Sequence, residues 1–307
     1  MITDNASKWM GLPVKVYDYE KGATDYATTL YRIAVDYDSD HTVLEALEKF
    51  LAHPDAGKAP GIVIGLYAPE SEGDSAEVVR ALVAAKDKLA GVRGIFMNDI
   101  ISEEQEISWI ENSDMEPLLN AYPKLEHFRV RGGNGLALGK LKSAHLKSLV
   151  VETGGMDKKI LQSIATAELP KLEHLELWLG TSEYGLTAGV ADVEPILKPG
   201  KFPALKYLGL RNCEFADALA KLVAKSPVVE QLDVLDLSLG TLGDEGAKEL
   251  FVSEHLEGLK LLDLHHHYMS DAVAPQFRGL GIEVNLDDSQ KEDVWDGEAH
   301  RYVAVGE

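Results

Sequence analysis

A single hydrophobic motif recurs along most of the chain, and it limits the fold more strongly than any other feature. The motif is leucine-x-x-leucine-x-leucine with aliphatic substitutions, and its first leucines lie 21 to 33 residues apart. A period of about 20–29 residues is typical of leucine-rich repeats, in which each repeat supplies one strand of a parallel sheet. The clear copies begin at Leu125, Leu146, Leu172, Leu205, Leu232 and Leu259.

Weaker copies extend this array in both directions. One begins at Val92, another lies at 61–66, and a degenerate last strand lies at 282–286. The segments between strands carry apolar residues at a spacing near 3.6, which predicts helices. Their ranges are 75–89, 160–167, 190–197, 216–223 and 246–251. The predicted fold is an α/β leucine-rich-repeat solenoid, a horseshoe with a parallel inner sheet and outer helices.

The two ends differ from the repeats, as capping segments do. Alternating residues at 14–19 and 31–37 predict an N-terminal β-hairpin that closes the sheet edge. A helix at 43–51 should follow, because Thr42 and Glu45 have the spacing of a capping box. We therefore expect a cap over 1–58, a repeat array over 59–286 and an acidic tail over 287–307. Within that tail, 287–298 is expected to be a loop and 301–305 a final edge strand.

Charge and cysteine content exclude several classes of function. Thirty basic against 51 acidic residues give a net charge of −21, which would repel nucleic acid and anionic membranes. The first 12 residues lack the basic and apolar segments of a signal peptide, and Cys213 is the only cysteine. We therefore expect a cytoplasmic protein with no nucleic-acid or membrane partner and no intrachain disulfide. Cys213 should be buried and inert.

The positions between the repeat leucines should point out of the concave face of the sheet, because strands alternate with a period of two. Several of these positions carry aromatic residues and arginines, which are enriched at binding hot spots. They predict a non-catalytic scaffold that binds a protein or peptide. The alternative is that arginines and carboxylates only pair along the sheet and that Trp178 packs under a loop. The candidate residues are His127, Arg129, Arg131, His174, Glu176, Trp178, Tyr207, Arg211, Asp236, Asp263 and His265.

A second hypothesis is an enzyme or a protein that binds a small ligand or anion. It would use the glycine-rich turn at 131–140 together with Arg131, His174 and His265. This turn lacks the spacing and the serine or threonine of a P-loop. The histidines at 265–267 and the acidic residues at 36–40 lack the further ligands that zinc and calcium require. We therefore expect no metal and no cofactor. A third hypothesis is a structural protein that associates with itself, and the sequence leaves its oligomeric state open.

Several blocks of sequence also resemble one known family. They are EISWI at 106–110, RGG at 131–133, LELWLG at 175–180, LDLHHHY at 262–268 and RYVAV at 301–305. In these blocks the chain resembles an uncharacterised bacterial family of leucine-rich-repeat proteins with ribonuclease-inhibitor-like repeats. The resemblance spans nearly the whole chain and implies its fold. It also implies an accessory role in a modification pathway, because genes of this family often lie near genes for radical-SAM-like and ATP-grasp-like proteins.

Overall fold

The repeat motif forms a parallel β-sheet in the computed structural model, which describes residues 1–68 and 73–307. The chain divides into two compact units. Unit 1 comprises Met1–Glu152, Thr166–Leu169 and Glu307, and unit 2 comprises Thr153–Ala165 and Pro170–Gly306.

Unit 1 contains seven strands in its described residues, each next to the following one in the sheet. The strands are β1 (Lys8–Trp9), β2 (Leu12–Val16), β3 (Leu30–Ile33), β4 (Gly61–Ile64), β5 (Gly94–Met97), β6 (His127–Arg131) and β7 (Ser148–Glu152). The pairing of β1 with β2 is antiparallel, and every later pairing is parallel. The helices are α1 (Val43–Ala52), α2 (Ala76–Ala84) and α3 (Glu116–Ala121).

Unit 2 continues the same pattern of strand, turn and helix. Its parallel strands are β8 (His174–Gly180), β9 (Tyr207–Cys213), β10 (Val234–Asp236), β11 (Leu261–Asp263) and β12 (Glu283–Asn285). A separate antiparallel hairpin is formed by β13 (Asp293–Trp295) and β14 (Glu298–His300). The helices are α4 (Lys158–Thr166, whose last residue belongs to unit 1), α5 (Val190–Val193), α6 (Ala216–Val223) and α7 (Asp244–Phe251).

The motif leucines form the core of each unit, where each stacks on its equivalents in the neighbouring strands. Leu175, Leu208, Leu235 and Leu262 of unit 2 stand in register and are fully buried. Each repeat buries its apolar face only against its neighbours, so the stack of leucines holds the array together. These observations confirm the predicted α/β leucine-rich-repeat solenoid.

The helices also lie close to their predicted positions. Helix α1 begins at Val43 after the predicted capping box, in which the Thr42 hydroxyl accepts from the Glu45 amide and the Glu45 carboxylate accepts from the Thr42 amide. These two hydrogen bonds satisfy amides that the first turn of a helix leaves without partners. In the second half of the predicted helix at 190–197, the chain forms a 3₁₀ helix, Glu194–Leu197, that carries Pro195.

An N-terminal hairpin exists, but only one of its two strands, β2, overlaps a predicted segment. Strand β2 pairs antiparallel with β1 across the turn at Met10 and Gly11, and β3 pairs with β2 in parallel. The predicted segments 14–19 and 31–37 do pair, through β2 and β3, but they run in parallel and so do not form the predicted antiparallel hairpin. Alternating hydrophobicity identifies a strand but does not give the direction of its neighbour.

The C-terminal tail also differs from the prediction. Part of the expected loop at 287–298 forms β13, and the expected strand at 301–305 is irregular. This last segment is held instead by isolated hydrogen bonds: the Ala304 amide donates to the Leu239 carbonyl and the Val305 amide to the Asn212 side chain. Within the described residues, none of the helices combines the length and the apolar character needed to cross a membrane.

Candidate functional site

The open face of unit 2 is the candidate site, and we define it as the sheet face that carries the side chains between the motif leucines. Strand register places its residues in rows across the sheet. The first row is His174, Tyr207, Val234, Leu261 and Glu283, and the second is Glu176, Gly209, Asp236, Asp263 and Asn285.

The first row is largely aromatic and aliphatic. The His174 and Tyr207 rings stack with centroids 4.0 Å apart and an interplanar angle of 9°. Val234 and Leu261 follow in register, and both are only partly buried. Neighbouring strands lie about 4.8 Å apart, so five residues in a row span about 19 Å. This is the length of about six residues of an extended peptide or of a helix of three to four turns.

The second row is acidic, and Glu176 is its most highly connected member. Glu176 Oε1 accepts from Trp178 Nε1 at 2.7 Å and from Arg211 Nη1 at 3.0 Å, while Oε2 lies 3.3 Å from His174 Nε2. Burial would raise the pKa of Glu176, but the His174 hydrogen bond, the Arg211 charge and the Trp178 hydrogen bond lower it to about 2. Glu176 is therefore an anion at neutral pH.

Asp236 is the second carboxylate of this network. It lies 3.1 Å from Arg211 Nε, and it accepts a hydrogen bond of 2.7 Å from the Tyr207 hydroxyl. Burial and the charges of Glu176 and Asp236 raise the pKa of Tyr207, so its phenol stays protonated and donates. Burial would lower the pKa of Arg211, but the charges of Asp236 and Glu176 raise it. One guanidinium thus bridges two carboxylates.

Asp263 and His265 form a separate pair on β11 and the turn after it. Asp263 Oδ1 lies 2.7 Å from His265 Nδ1 and also accepts from the His265 amide. This hydrogen bond raises the pKa of His265. Burial would raise the pKa of Asp263, but the hydrogen bond from His265 lowers it. With Glu176 and Asp236, the second row carries three carboxylates, and Glu283 of the first row adds a fourth to the open face. Against them stands the guanidinium of Arg211, so the charge of the open face is negative when both histidines are neutral.

Unit 1 carries the other arginines among the candidate residues. Arg131 Nε lies 2.8 Å from Glu152 Oε2, and Arg129 pairs with the other oxygen of the same carboxylate. Arg131 Nη1 also lies 3.7 Å from Asp99 Oδ1. Both guanidinium groups lie over the Phe96 ring, at 4.5 Å for Arg129 and 5.6 Å for Arg131. His127 contacts the Trp9 ring edge to face, with ring centroids 6.3 Å apart.

Trp178 and Arg131 are less exposed than expected for side chains that bind a partner. Trp178 is 7% exposed and Arg131 is 2% exposed, so neither presents its side chain freely to solvent. Arg129, Arg131 and Arg211 all pair with carboxylates of this chain, as the alternative interpretation expected. The reason is that long side chains of adjacent repeats meet across the 4.8 Å spacing between strands. Binding by the candidate residues stays a prediction.

The glycine-rich turn of unit 1 packs against the turn of the preceding repeat. The Asn134 side chain donates to the Ser108 carbonyl at 2.7 Å and to Glu111 Oε1 at 3.1 Å. A side chain at Gly135 would meet the backbone of Asn112. The turn therefore has a structural role between repeats, and Arg131 beside it is already paired.

The remaining candidates for chemistry have structural surroundings. Cys213 is fully buried, and burial raises the pKa of its thiol, which opposes formation of the nucleophilic thiolate. His267 accepts from the Met269 amide and lies 3.2 Å from the Leu286 carbonyl. Across 1–68 and 73–307, no three histidine, cysteine or acidic side chains converge in a way that could hold a metal ion.

Sequence reasoning missed part of the buried charge in unit 1. Arg32 Nη2 lies 2.7 Å from Glu104 Oε2, and Arg32 Nε lies 3.5 Å from Asp99 Oδ2. The Asp99 carboxylate also accepts from the Ala6 amide, so the N-terminal segment contributes to this network. No motif of the sequence points to it, because the residues of each of these pairs lie 67 to 93 positions apart.

Comparison with known proteins gives one informative relative. The chain is 32% identical to a protein of Bacteroides fragilis with a crystal structure, over 85% of this chain and 74% of that one, with a TM-score of 0.79. The chain belongs to the family of this Bacteroides protein. An internalin of Listeria monocytogenes is 13% identical over 87% of this chain and 74% of its own, with a TM-score of 0.38. No protein-family model and no curated protein matches the chain.

Membership of this family confirms the expected likeness to a bacterial protein. The accessory role implied by the resemblance stays a prediction, and so does the cytoplasmic location.

Proposed function

We propose that the protein is a non-catalytic scaffold that binds a basic segment of a protein or peptide on the open face of unit 2. The observation that carries the proposal is the pair of rows described above. An apolar row containing Tyr207, Val234 and Leu261 runs beside an acidic row containing Glu176, Asp236 and Asp263.

The two rows are complementary to different kinds of side chain in a partner. Apolar side chains would lie on Val234 and Leu261, where each buried methylene contributes about 0.8 kcal/mol. Lysine or arginine side chains would lie near the acidic row, whose three carboxylates exceed the one guanidinium of Arg211. The ion pairs within the site hold Glu176 and Asp236 in place before binding, which reduces the entropy lost on association.

The test is an affinity capture from lysate of the native host, followed by measurement with the purified partner. Val234→Arg places a positive charge in the apolar row, whereas Val252→Arg makes the same change at a position 76% exposed after α7. We expect wild type and Val252→Arg to hold the same partner. Val234→Arg should weaken the purified complex at least about tenfold, since central apolar contacts dominate interfaces.

Two results would contradict this proposal. Equal affinity of all three forms for the purified partner would remove the open face as the binding surface. A rise in melting temperature with metals or nucleotides, without any protein partner, would favour the hypothesis of a small-ligand protein or enzyme.

A further inference from the structure

The hairpin β13–β14 displays the most exposed tryptophan of unit 2. Trp295 is 59% exposed and Val294 is 71% exposed. Trp178, in the same unit, is 7% exposed. Large exposed apolar side chains are common at interaction sites, and tryptophan is the residue most enriched among binding hot spots.

The register of the hairpin sorts its side chains onto two faces. Asp293 pairs with His300, Val294 with Ala299, and Trp295 with Glu298. Directly opposite residues share a face, and successive residues alternate. Asp293, Trp295, Glu298 and His300 therefore lie on one face, which we call the acidic-aromatic face. The Trp295 and His300 rings confirm this arrangement, since their centroids are 5.1 Å apart.

The hairpin is anchored, although an isolated two-stranded hairpin is only marginally stable in water. Arg301, directly after β14, lies 2.7 Å from Glu292 Oε1 and 3.0 Å from Asp217 Oδ2 on α6. On the other side, the Gln290 amide donates to the His267 carbonyl at 2.7 Å. Both ends of the hairpin are thus held to the repeats, and an anchored surface loses less entropy on binding.

The charge around Trp295 is strongly negative. Residues 287–298 contain six carboxylates and one lysine, Lys291. Glu292 is neutralised by Arg301, whereas Asp293, Asp296 and Glu298 are exposed at and beside the tryptophan. A cation within about 6 Å of an indole ring is attracted to its face, and nearby carboxylates add to this attraction.

We propose that the acidic-aromatic face of the hairpin is a second docking site, which takes an arginine- or lysine-rich segment of a partner protein. The cationic side chain would lie over the Trp295 ring and contact Asp293 or Glu298. This site goes beyond the proposed function, because it uses other residues and needs no apolar residues in the partner.

The experiment uses the full chain and a labelled peptide that contains only arginine, serine and glycine. Binding is followed by fluorescence anisotropy in 150 mM salt, so that distant charges are screened beyond about 8 Å. We expect Trp295→Ala, and separately Asp293→Asn with Glu298→Gln, to weaken binding about fivefold. Trp295→Phe keeps a ring and should recover part of the affinity.

Matched controls separate this site from the general negative charge of the protein. Trp109→Ala removes another tryptophan, which is 63% exposed in unit 1. Glu257→Gln with Asp271→Asn removes two exposed carboxylates elsewhere in unit 2. Both controls should bind the peptide within about twofold of wild type, and circular dichroism should show that all variants are folded.

If Trp295→Ala binds the peptide as tightly as wild type and as Glu257→Gln with Asp271→Asn, the attraction is nonspecific, and this result would overturn the docking site. So would a peptide that does not bind wild type. Val234→Arg on the open face should leave this peptide's affinity unchanged. The docking site and the proposed function can therefore fail independently.

Discussion

Gly180, at the end of β8, shows how tightly the repeats are packed where the chain leaves the sheet. Its φ is 79°, and a Cβ at this position would overlap the Gly154 carbonyl. Asn212, Leu239 and His266 have φ values of 53°, 65° and 57° at the ends of later strands. The turn after a strand thus repeatedly needs a left-handed residue, and the sequence supplies glycine where space is also lacking.

Gly180 and Gly200 form a matched pair for testing this packing. Gly200 has a φ of 77° but nothing within 4 Å of its Cβ position. Gly200→Ala should therefore cost only the left-handed strain, about 1 kcal/mol. Gly180→Ala should add overlap and cost about 3 kcal/mol in total. Chemical denaturation measures both free energies of unfolding, and equal values would mean that the Gly154 backbone gives way.

Glu176 makes a prediction about pH. Its pKa is lowered to about 2 in the folded protein, whereas an unfolded glutamate titrates near about 4.3. The ionised Glu176 therefore stabilises the fold above about pH 4.3, and this contribution is lost as pH falls towards 2. Glu176→Gln should cost about 2 kcal/mol at pH 7, because it removes hydrogen bonds to a charged group.

The measurement is the free energy of unfolding of both forms between pH 7 and pH 3. The difference between wild type and Glu176→Gln should be constant down to about pH 4.5 and then shrink. Glu173→Gln is the control, since Glu173 is exposed one residue before β8. A difference that grows as pH falls would show that Glu176 is not held as an anion.

Among the elements, the C-terminal segment shows how a chain without regular structure can still be fixed. Its hydrogen bonds reach Asn212, near the end of β9, and Leu239, in the turn that follows β10. Arg301 adds ion pairs to Asp217 and Glu292 and a hydrogen bond of 3.2 Å to the Thr241 carbonyl. These contacts satisfy backbone groups at the ends of the strands, which would otherwise need water.

Arg301→Ala tests whether this one side chain holds the segment. We expect the amides of Ala304 and Val305 to exchange hydrogen with solvent faster, while the strands β8–β11 keep their protection. Arg278→Ala is the control, because Arg278 is exposed. Hydrogen exchange read by mass spectrometry or NMR makes the comparison. Unchanged exchange at 304 and 305 would show that the other hydrogen bonds of the segment hold it without Arg301.

At the scale of the whole molecule, the net charge of −21 opposes the folded state through self-repulsion. Salt screens exposed charges more than buried ones, and exposed ion pairs contribute little. We therefore expect the melting temperature to rise by a few degrees between about 10 mM and 200 mM sodium chloride. Calorimetry measures the change, and a lower melting temperature in salt would mean that surface ion pairs outweigh the repulsion.

The α/β repeat architecture and the residues of its core follow from the repeat spacing alone. Burial of a motif leucine depends on the alternation of its own strand and on an identical neighbour in the next repeat, so spacing along the chain is sufficient. The capping box of α1 was predictable for the same reason, because Thr42 and Glu45 lie within one turn.

The repeat spacing does not tell which polar side chains meet or how far they are buried, because both depend on the folded arrangement of the strands. Arg32 and Glu104 are 72 positions apart and pair directly, and Trp178 is covered by Arg211, whose guanidinium lies 5.2 Å from its ring. The pattern of hydrophobic residues likewise did not predict the direction of β3 or the hairpin β13–β14. The physical reason is that repeat spacing fixes which residues face the core. Charge pairing and the structure at the two ends of the array depend instead on contacts between residues far apart in the sequence.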